Sequence, residues 1–482
     1  MSAKNVLIIC SDEHARSALG CYGHPLVRTP TLDRLAARGT RFSKAYTPSP
    51  ICVPARACLA TGTHVHENRC WSSAEPYHGQ HESWMHRLRD RGHTVVSVGK
   101  LHFRSSRDDN GFSEEILPMH LANDGQGWPQ GLLRNPLPGF EAAKELARDA
   151  GPGESSYTAY DREIAAAACA WLRRYPKAIK DKAWALFVSF VSPHYPLTAP
   201  PAFYDLYAHE DMPETGEGGR KRAPSHPVLE AMAKFWDYDT SFDAESRARA
   251  QRGYFGLCSF LDDNIRQVLE ALEDSGAARD TLVIYLSDHG EMLGKHGFWA
   301  KSVMYEDSVG IPLILAGGGV PAGLNRTPVS LTDIAASVET AVGLTGSTAE
   351  APWQGRALQG FVAAPEPERI LLSEYHDGGS PTGFFMIRQG AWKYVYYAGG
   401  HPSGYPSQLY DLESDPDELR DLGASPHHAG PRTRMHGHLT SILDPEAVNA
   451  QAFADQAALL ARLGGREAVL AMPSFNHTPV GS

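Results

Sequence analysis

The 482-residue chain has no apolar run long enough to cross a membrane, no surplus of positive charge and no paired cysteine spacing. Each absence removes a class of function. A membrane-spanning helix needs roughly 20 consecutive apolar residues. Near the start only Val6–Cys10 is continuously apolar, too short even for the core of a secretory leader. Lys and Arg number 45 against 56 Asp and Glu, a formal net charge of −11. That balance argues against nucleic-acid and anionic-membrane partners, because phosphate backbones are held by surplus basic groups. The seven cysteines, at 10, 21, 52, 58, 70, 169 and 258, show neither metal spacing nor a disulfide framework. They are expected to be reduced, mostly buried thiols of a cytoplasmic protein, in which the sequons at Asn325 and Asn476 carry no meaning. Repeats and low-complexity segments are absent as well.

What is present reads as globular. Apolar residues make up 42% of the chain, while 45 glycines and 34 prolines imply many loops. At about 150 residues per domain the length suggests two or three domains, although α/β enzymes often build one large core. Val6–Cys10, bounded by polar residues, has the pattern of a strand covered on both faces in a parallel sheet. "TPTLDRLAARG" then reads as a helix with Thr29 as N-cap, Pro30 at its first position and Gly39 as its stop. Further buried strands are predicted at 94–99, 184–191, 281–287 and 311–317, and long helices over Ser156–Tyr175 and Gly253–Leu272. The alternation predicts an α/β fold with a mostly parallel central sheet between helices.

Two stretches, 104–155 and 200–245, interrupt the alternation with glycine, proline and aromatic residues, and are expected to wall a site. A composition shift over Ala349–Pro367 suggests a linker. Beyond it "GFFMIRQ", "WKYVYY" and "QLYDL" read as antiparallel strands, and "EAVNAQAFADQAALLARLG" as a helix that docks or forms a homo-oligomer. The expected division is a catalytic α/β domain over 1–365 and an antiparallel-sheet subdomain with a helical tail over 366–482.

Four groups of reactive residues fall just after predicted strands, where open α/β sheets bind ligands. Asp12 and Glu13 offer adjacent carboxylates to a divalent cation, or form a surface turn. Asp288 and His289, with Lys301 following, pair carboxylate with imidazole, donors that suit a hard or borderline cation. An extended "VGKLHF" would turn Lys100 and His102 the same way; the alternative is an exposed edge with an incidental histidine. In "SPHYPLTAP" prolines flank His194 and fix a loop that is either functional or structural.

"ICVPARACLATG" poses a sharper question. Pro54 suits the first turn of a helix and Gly62 its stop. Cys52 then falls at the N-terminus, where free N–H groups favour an anion and lower a thiol's pKa. No partner arrangement for a cysteine hydrolase accompanies it, and burial as a small apolar residue is the usual fate of a cysteine.

Cys52-Val53-Pro54-Ala55-Arg56, followed by Leu59-Ala60-Thr61-Gly62, resembles the signature of the type I, formylglycine-dependent sulfatases of the alkaline phosphatase superfamily. The resemblance extends from "NVLIICSDEH" and "TPTLDRLAARGTRFSKAY" through "VGKLHF", "PHYPLTAP" and "SDHGEMLGKHGFWAKSVMYE" to "WKYVYY" and "LYDLESDPDELRDL". It implies an alkaline-phosphatase-like large domain with a smaller C-terminal domain on an antiparallel sheet. It also implies that a formylglycine-generating enzyme oxidises Cys52 to Cα-formylglycine. The hydrated aldehyde attacks sulfur, the alcohol leaves, and the second hydroxyl expels sulfate, a two-step covalent route. Carried over by position, Asp12, Glu13, Asp288 and His289 are expected metal ligands together with oxidised Cys52. The metal implied is calcium, with manganese or magnesium as alternatives.

By the same resemblance Arg56 anchors the formylglycine, and Lys100 and Lys301 face the charge on the sulfuryl oxygens. His102 is the base for sulfate release, and His194 or Lys301 serves the leaving oxygen. The chain departs from the commoner pattern at Ala55, where serine is frequent, and at Glu13, where Asp or Gln is usual. His289 stands where many sulfatases have asparagine, a choice shared with choline-sulfatase-like and phosphonate monoester hydrolase relatives; Ser73 stands where such relatives carry asparagine. The expected activity is hydrolysis of a small aryl or alkyl sulfate monoester. The alternatives are a phosphonate monoester or phosphodiester hydrolase with the same site, and a non-catalytic binding protein with unmodified Cys52.

Overall fold

Val6, Leu7, Ile8 and Ile9 are fully buried, and successive residues feed opposite cores. They belong to strand β1 (Asn5–Asp12), the middle of an eight-stranded sheet in the computed structural model. The structure describes residues 4–140, 143–174, 182–213, 225–344, 353–399, 404–474 and 477–481. The expected helix end at Tyr175, the Asn476 sequon, parts of both interrupting stretches and the linker residues 349–352 lie outside them.

The other strands of this sheet are β2 (Thr40–Phe42), β3 (Thr94–Lys100), β4 (Glu114–Met119), β5 (Trp184–Pro193), β6 (Thr281–Ser287), β7 (Leu313–Gly317) and β8 (Gly323–Asn325). Their order is β8-β2-β7-β6-β1-β5-β3-β4. From β6 to β4 the pairing is parallel, whereas β7 runs antiparallel to both β6 and β2. Burial on both faces explains the unbroken apolar runs, each fully buried large side chain contributing about 1.5–3 kcal/mol.

Val6 and Ile8 pack against helix α2 (Cys52–Thr61) through Ala55 and Leu59, and against α5 (Asp333–Ala341) through Ile334 and Val338. Leu7 and Ile9 face α1 (Pro30–Ala37), α3 (Ser156–Arg174) and α4 (Ala244–Asp274). Two expectations need correction here. Thr29 does not cap α1; the Asp262 carboxylate of α4 accepts instead from Thr31 N–H at 2.9 Å and Leu32 N–H at 2.8 Å. A side chain distant in sequence thus does the work of an N-cap. And α4 begins at Ala244, well before Gly253, because Asp243 and Ser246 form a capping box.

A second sheet, β9 (Leu371–Tyr375), β10 (Phe384–Gln389), β11 (Trp392–Tyr397) and β12 (Gln408–Asp411), is antiparallel in sequential order. One face, with Phe385, Ile387 and Leu409, packs on Met435 and Leu439 of α6 (Ala429–Ile442). The other, with Phe384, Met386 and Val395, packs on Met292, Phe298 and Val303. Those three belong to the loop after β6 that carries Lys301, so the small sheet braces one wall of the site. Helix α7 (Pro445–Arg462) docks on its own chain: Asp455 pairs with Arg69 and accepts from Trp71 Nε1 at 2.9 Å. No helix among the described residues is long and apolar enough to cross a membrane, and all seven cysteines are free.

Candidate active site

Ser11 lies opposite Ser287 in the parallel β1–β6 register, so the residues that follow, Asp12 and Asp288, emerge side by side at the carboxyl edge. The chain turns sharply after Asp12, with Glu13 at φ 64° and its N–H donating to Asp288 Oδ1 at 3.2 Å. Helix α2 brings its first residue to this edge. Cys52 Sγ lies 3.6 Å from Asp12 Oδ1 and 3.1 Å from His289 Nε2. One ligand atom from each of Asp12, Cys52, Asp288 and His289 falls within 4.8 Å of the others, and all four residues are buried. His289 Nδ1–H donates to the Gly290 carbonyl at 3.1 Å, which turns the Nε2 lone pair toward the cluster. Two carboxylates and an oriented imidazole are fit donors for a divalent cation.

Arg56, one turn further along α2, is buried and saturated with partners. Its Nε donates to Asp288 Oδ2 at 2.8 Å and Nη2 to Asp12 Oδ2 at 3.1 Å. Nη1 donates to the Lys100 carbonyl at 2.8 Å and to Ser189 Oγ at 2.9 Å. The fixed fork of a guanidinium therefore ties four strands together under residue 52. Lys100 Nζ, fully buried, lies 2.6 Å from Asp12 Oδ2. Burial alone would raise the Asp12 carboxyl, but the charges of Lys100 and Arg56 hold it well below the usual carboxylate range.

Lys301 Nζ contacts Glu13 Oε2 at 2.8 Å and His194 Nε2 at 2.7 Å. Because His194 Nδ1–H donates to the Tyr195 carbonyl at 2.7 Å, its Nε2 accepts from the ammonium. Burial and the Lys301 charge push this imidazole well below its ordinary pKa, and it is neutral. Glu13 thus stands beside the four-donor cluster, engaged with Lys301, its carboxyl pushed well up by burial against the pull of that lysine.

Strand β3 stops at Lys100 and His102 takes φ 54°, so the simple alternation expected for "VGKLHF" does not hold. Both side chains nevertheless line one pocket. Neither ring nitrogen of His102 has a hydrogen-bond partner among the described residues, and burial, Lys100 and Arg56 hold its pKa well below the ordinary value. A second correction concerns Cys52. Its thiol is pushed up to about 12, because burial and the adjacent Asp12 carboxylate outweigh the pull of Lys301 and Lys100. As a thiol, this residue is a poor nucleophile.

The pocket over Cys52 measures about 890 Å³ including its open mouth. Cys52, Lys100, His102, His194 and Lys301 line it together with Trp128 and Phe140 from one interrupting stretch and Trp236 and Tyr238 from the other. The Trp128 and Trp236 rings stack at 5.7 Å. Ser73 also reaches the pocket, its Oγ donating to Asp377 Oδ2 at 2.5 Å.

A family model described as Sulfatase matches residues 4–344. The chain belongs to the sulfatase family. It is a sulfuric ester hydrolase of the alkaline phosphatase superfamily. A second model, described as N-sulphoglucosamine sulphohydrolase, C-terminal, matches residues 294–444 of this sulfatase. The sulfatase is 32% identical over 434 residues to the choline-sulfatase of Rhizobium meliloti strain 1021, covering 88% of this chain and 83% of that one. It is 26% identical to arylsulfatase K of Danio rerio, covering 87% and 80%. The phosphonate monoester hydrolase of Agrobacterium radiobacter shares its fold, with a TM-score of 0.71 at 22% identity over 93% of this chain and 96% of that one.

Reading the sequence of the sulfatase missed Ser189, which holds Arg56, and the individual aromatic residues of the wall. The aromatic content of the two stretches was visible, but which rings turn inward depends on loop paths that carry no periodicity. His477 and Thr478, which also line the pocket, had no signal at all.

Proposed function

We propose that this sulfatase hydrolyses a small aryl or alkyl sulfate monoester to alcohol and sulfate, using Cα-formylglycine made from Cys52 and a divalent cation. The observation that carries the reading is the placement of Cys52 at the first position of a buried helix, inside a four-donor cluster in a pocket lined by Lys100, Lys301, His102 and His194. An unmodified thiol pushed up to about 12 has little use there. Oxidised to the aldehyde and hydrated, residue 52 supplies an oxygen nucleophile and a second hydroxyl through which sulfate is released. Oxidation also replaces a soft sulfur donor by a hard oxygen, which matches the carboxylates around it.

Asp12, Asp288 and His289 would hold the cation with residue 52, and Glu13 stands close enough to complete the set or to keep Lys301 charged. The cation we favour is calcium, with manganese and magnesium as alternatives; it would polarise a sulfuryl oxygen. Arg56 fixes both aspartates and the floor beneath residue 52. Lys100 and Lys301 meet the negative charge of the sulfuryl group, preorganised by burial and by their carboxylate partners. Lys301 shares a hydrogen bond with neutral His194, so the pair can place a proton on the leaving oxygen. His102, neutral and without a hydrogen-bond partner among the described residues, is suited to remove the proton from the second hydroxyl as sulfate departs. The aromatic wall offers flat apolar faces to the leaving group. Choline sulfate belongs in the test panel, because the 32%-identical relative is named a choline-sulfatase and aromatic faces attract quaternary ammonium groups.

The test is a comparison of kcat/KM on the sulfate and the phosphonate ester of one phenol, with protein made alongside a formylglycine-generating enzyme. Preference for the sulfate is expected. A strong preference for the phosphonate would overturn the ester class while leaving the shared site intact.

A further inference from the structure

The last helix, α8 (Gly465–Leu470), and described residues that follow it are tied by side chains to the elements around the pocket. Gln130 Nε2 donates to the carbonyls of Val469 at 3.1 Å and Met472 at 3.0 Å, and Asn123 Nδ2 to that of Pro473 at 3.3 Å. Further along, Tyr157 Oη donates to the Thr478 carbonyl at 2.7 Å. Every one of these anchors is a side chain binding a backbone carbonyl, so each holds its residue whatever side chain that residue carries. The anchoring residues lie in α3 and in the 123–130 stretch, next to Trp128 of the aromatic wall.

As a result His477 and Thr478 line the same pocket as Cys52, Lys100 and Lys301. The His477 ring packs edge-on against Tyr157 at 4.9 Å, and Tyr157 packs edge-on against His194 at 6.0 Å. An aromatic row therefore runs from the tail to the histidine that faces the leaving oxygen, with Tyr157, only 2% exposed, as its middle member. Burial and the Lys100 charge lower the His477 pKa, which leaves a neutral imidazole with one donor and one acceptor at the pocket wall.

We propose that the tail segment His477–Thr478 is a wall of the ester pocket and that His477 selects the leaving group, holding compact groups and excluding esters that must run past the tail. The inference rests on the reading of this pocket as the ester site. Calorimetric binding tests it without turnover, on protein made without the oxidising enzyme so that Cys52 stays a thiol. The probes are 4-nitrophenyl sulfate, which is compact, and estrone 3-sulfate, which is extended. His477→Ala, Tyr157→Phe and a chain shortened after Pro473 are compared with the wild type.

The ratio of the two affinities should shift toward the extended ester by roughly tenfold in the shortened chain and in His477→Ala, the scale of one pocket contact. Tyr157→Phe, which frees the Thr478 anchor but keeps the ring, should move the ratio the same way. If the wild type binds and the ratio stays fixed in His477→Ala and Tyr157→Phe, including equal losses on both esters, the tail has no selective role. If the wild type binds neither ester, the reading of the pocket falls and this inference with it.

Discussion

Cys52 Sγ lies 3.1 Å from His289 Nε2, and the other nitrogen of that imidazole is engaged by the Gly290 carbonyl. Residue 52 therefore shares a donor cluster with a histidine whose lone pair is already aimed. Exchange of the sulfur for serine oxygen should leave the helix and the fold unchanged, since the site keeps its partners. Cys52→Ser should nevertheless lose turnover, because a serine sulfate ester has no second hydroxyl through which to release product. Steady-state assay with circular dichroism as the folding control checks this; activity near wild type would remove formylglycine from the mechanism.

Lys100 approaches the cluster from the end of β3 and Lys301 from the loop after β6, at 2.6 Å from Asp12 and 2.8 Å from Glu13. Replacing either by alanine should lower kcat by about 10²-fold or more, as loss of one preorganised stabiliser of developing charge does. An unchanged kcat in either variant would take that lysine out of the reaction.

Arg56 neutralises two buried carboxylates at once. Arg56→Ala should destabilise the fold by about 3–5 kcal/mol, the cost of leaving buried charge uncompensated. Denaturant unfolding measures it. A loss under about 1 kcal/mol, the level of an exposed ion pair, would mean the aspartates find other partners.

His102 carries the pH dependence expected for sulfate release. Burial, Lys100 and Arg56 depress its pKa, so the neutral base persists below the ordinary histidine value of 6.5 and is lost only as pH falls through the lowered value. The acid limb of kcat should lie below 6.5, and Lys100→Ala, which removes one of the depressing charges, should move it upward. A limb above 6.5 in the wild type, or one that ignores Lys100, would assign the base elsewhere.

The sheet was readable because its strands are buried on both faces, and unbroken apolar runs such as Val6–Cys10 are what such burial demands. The same burial hid the direction of β7, since 311–317 reads alike in either orientation. Asp12 and Asp288 were found by their positions at strand ends, and Cys52 by the proline and glycine that bound its helix. What stayed hidden depends on tertiary neighbours. Asp262 capping α1, Asp12 raising the Cys52 thiol, and the positive φ of His102 all arise from contacts across long stretches of chain. Local propensity has no access to them.

The most direct measurement is the mass of the tryptic peptide Ala45–Arg56 from protein made with a formylglycine-generating enzyme present. The account predicts an aldehyde at residue 52. An unmodified thiol in an active preparation would contradict it.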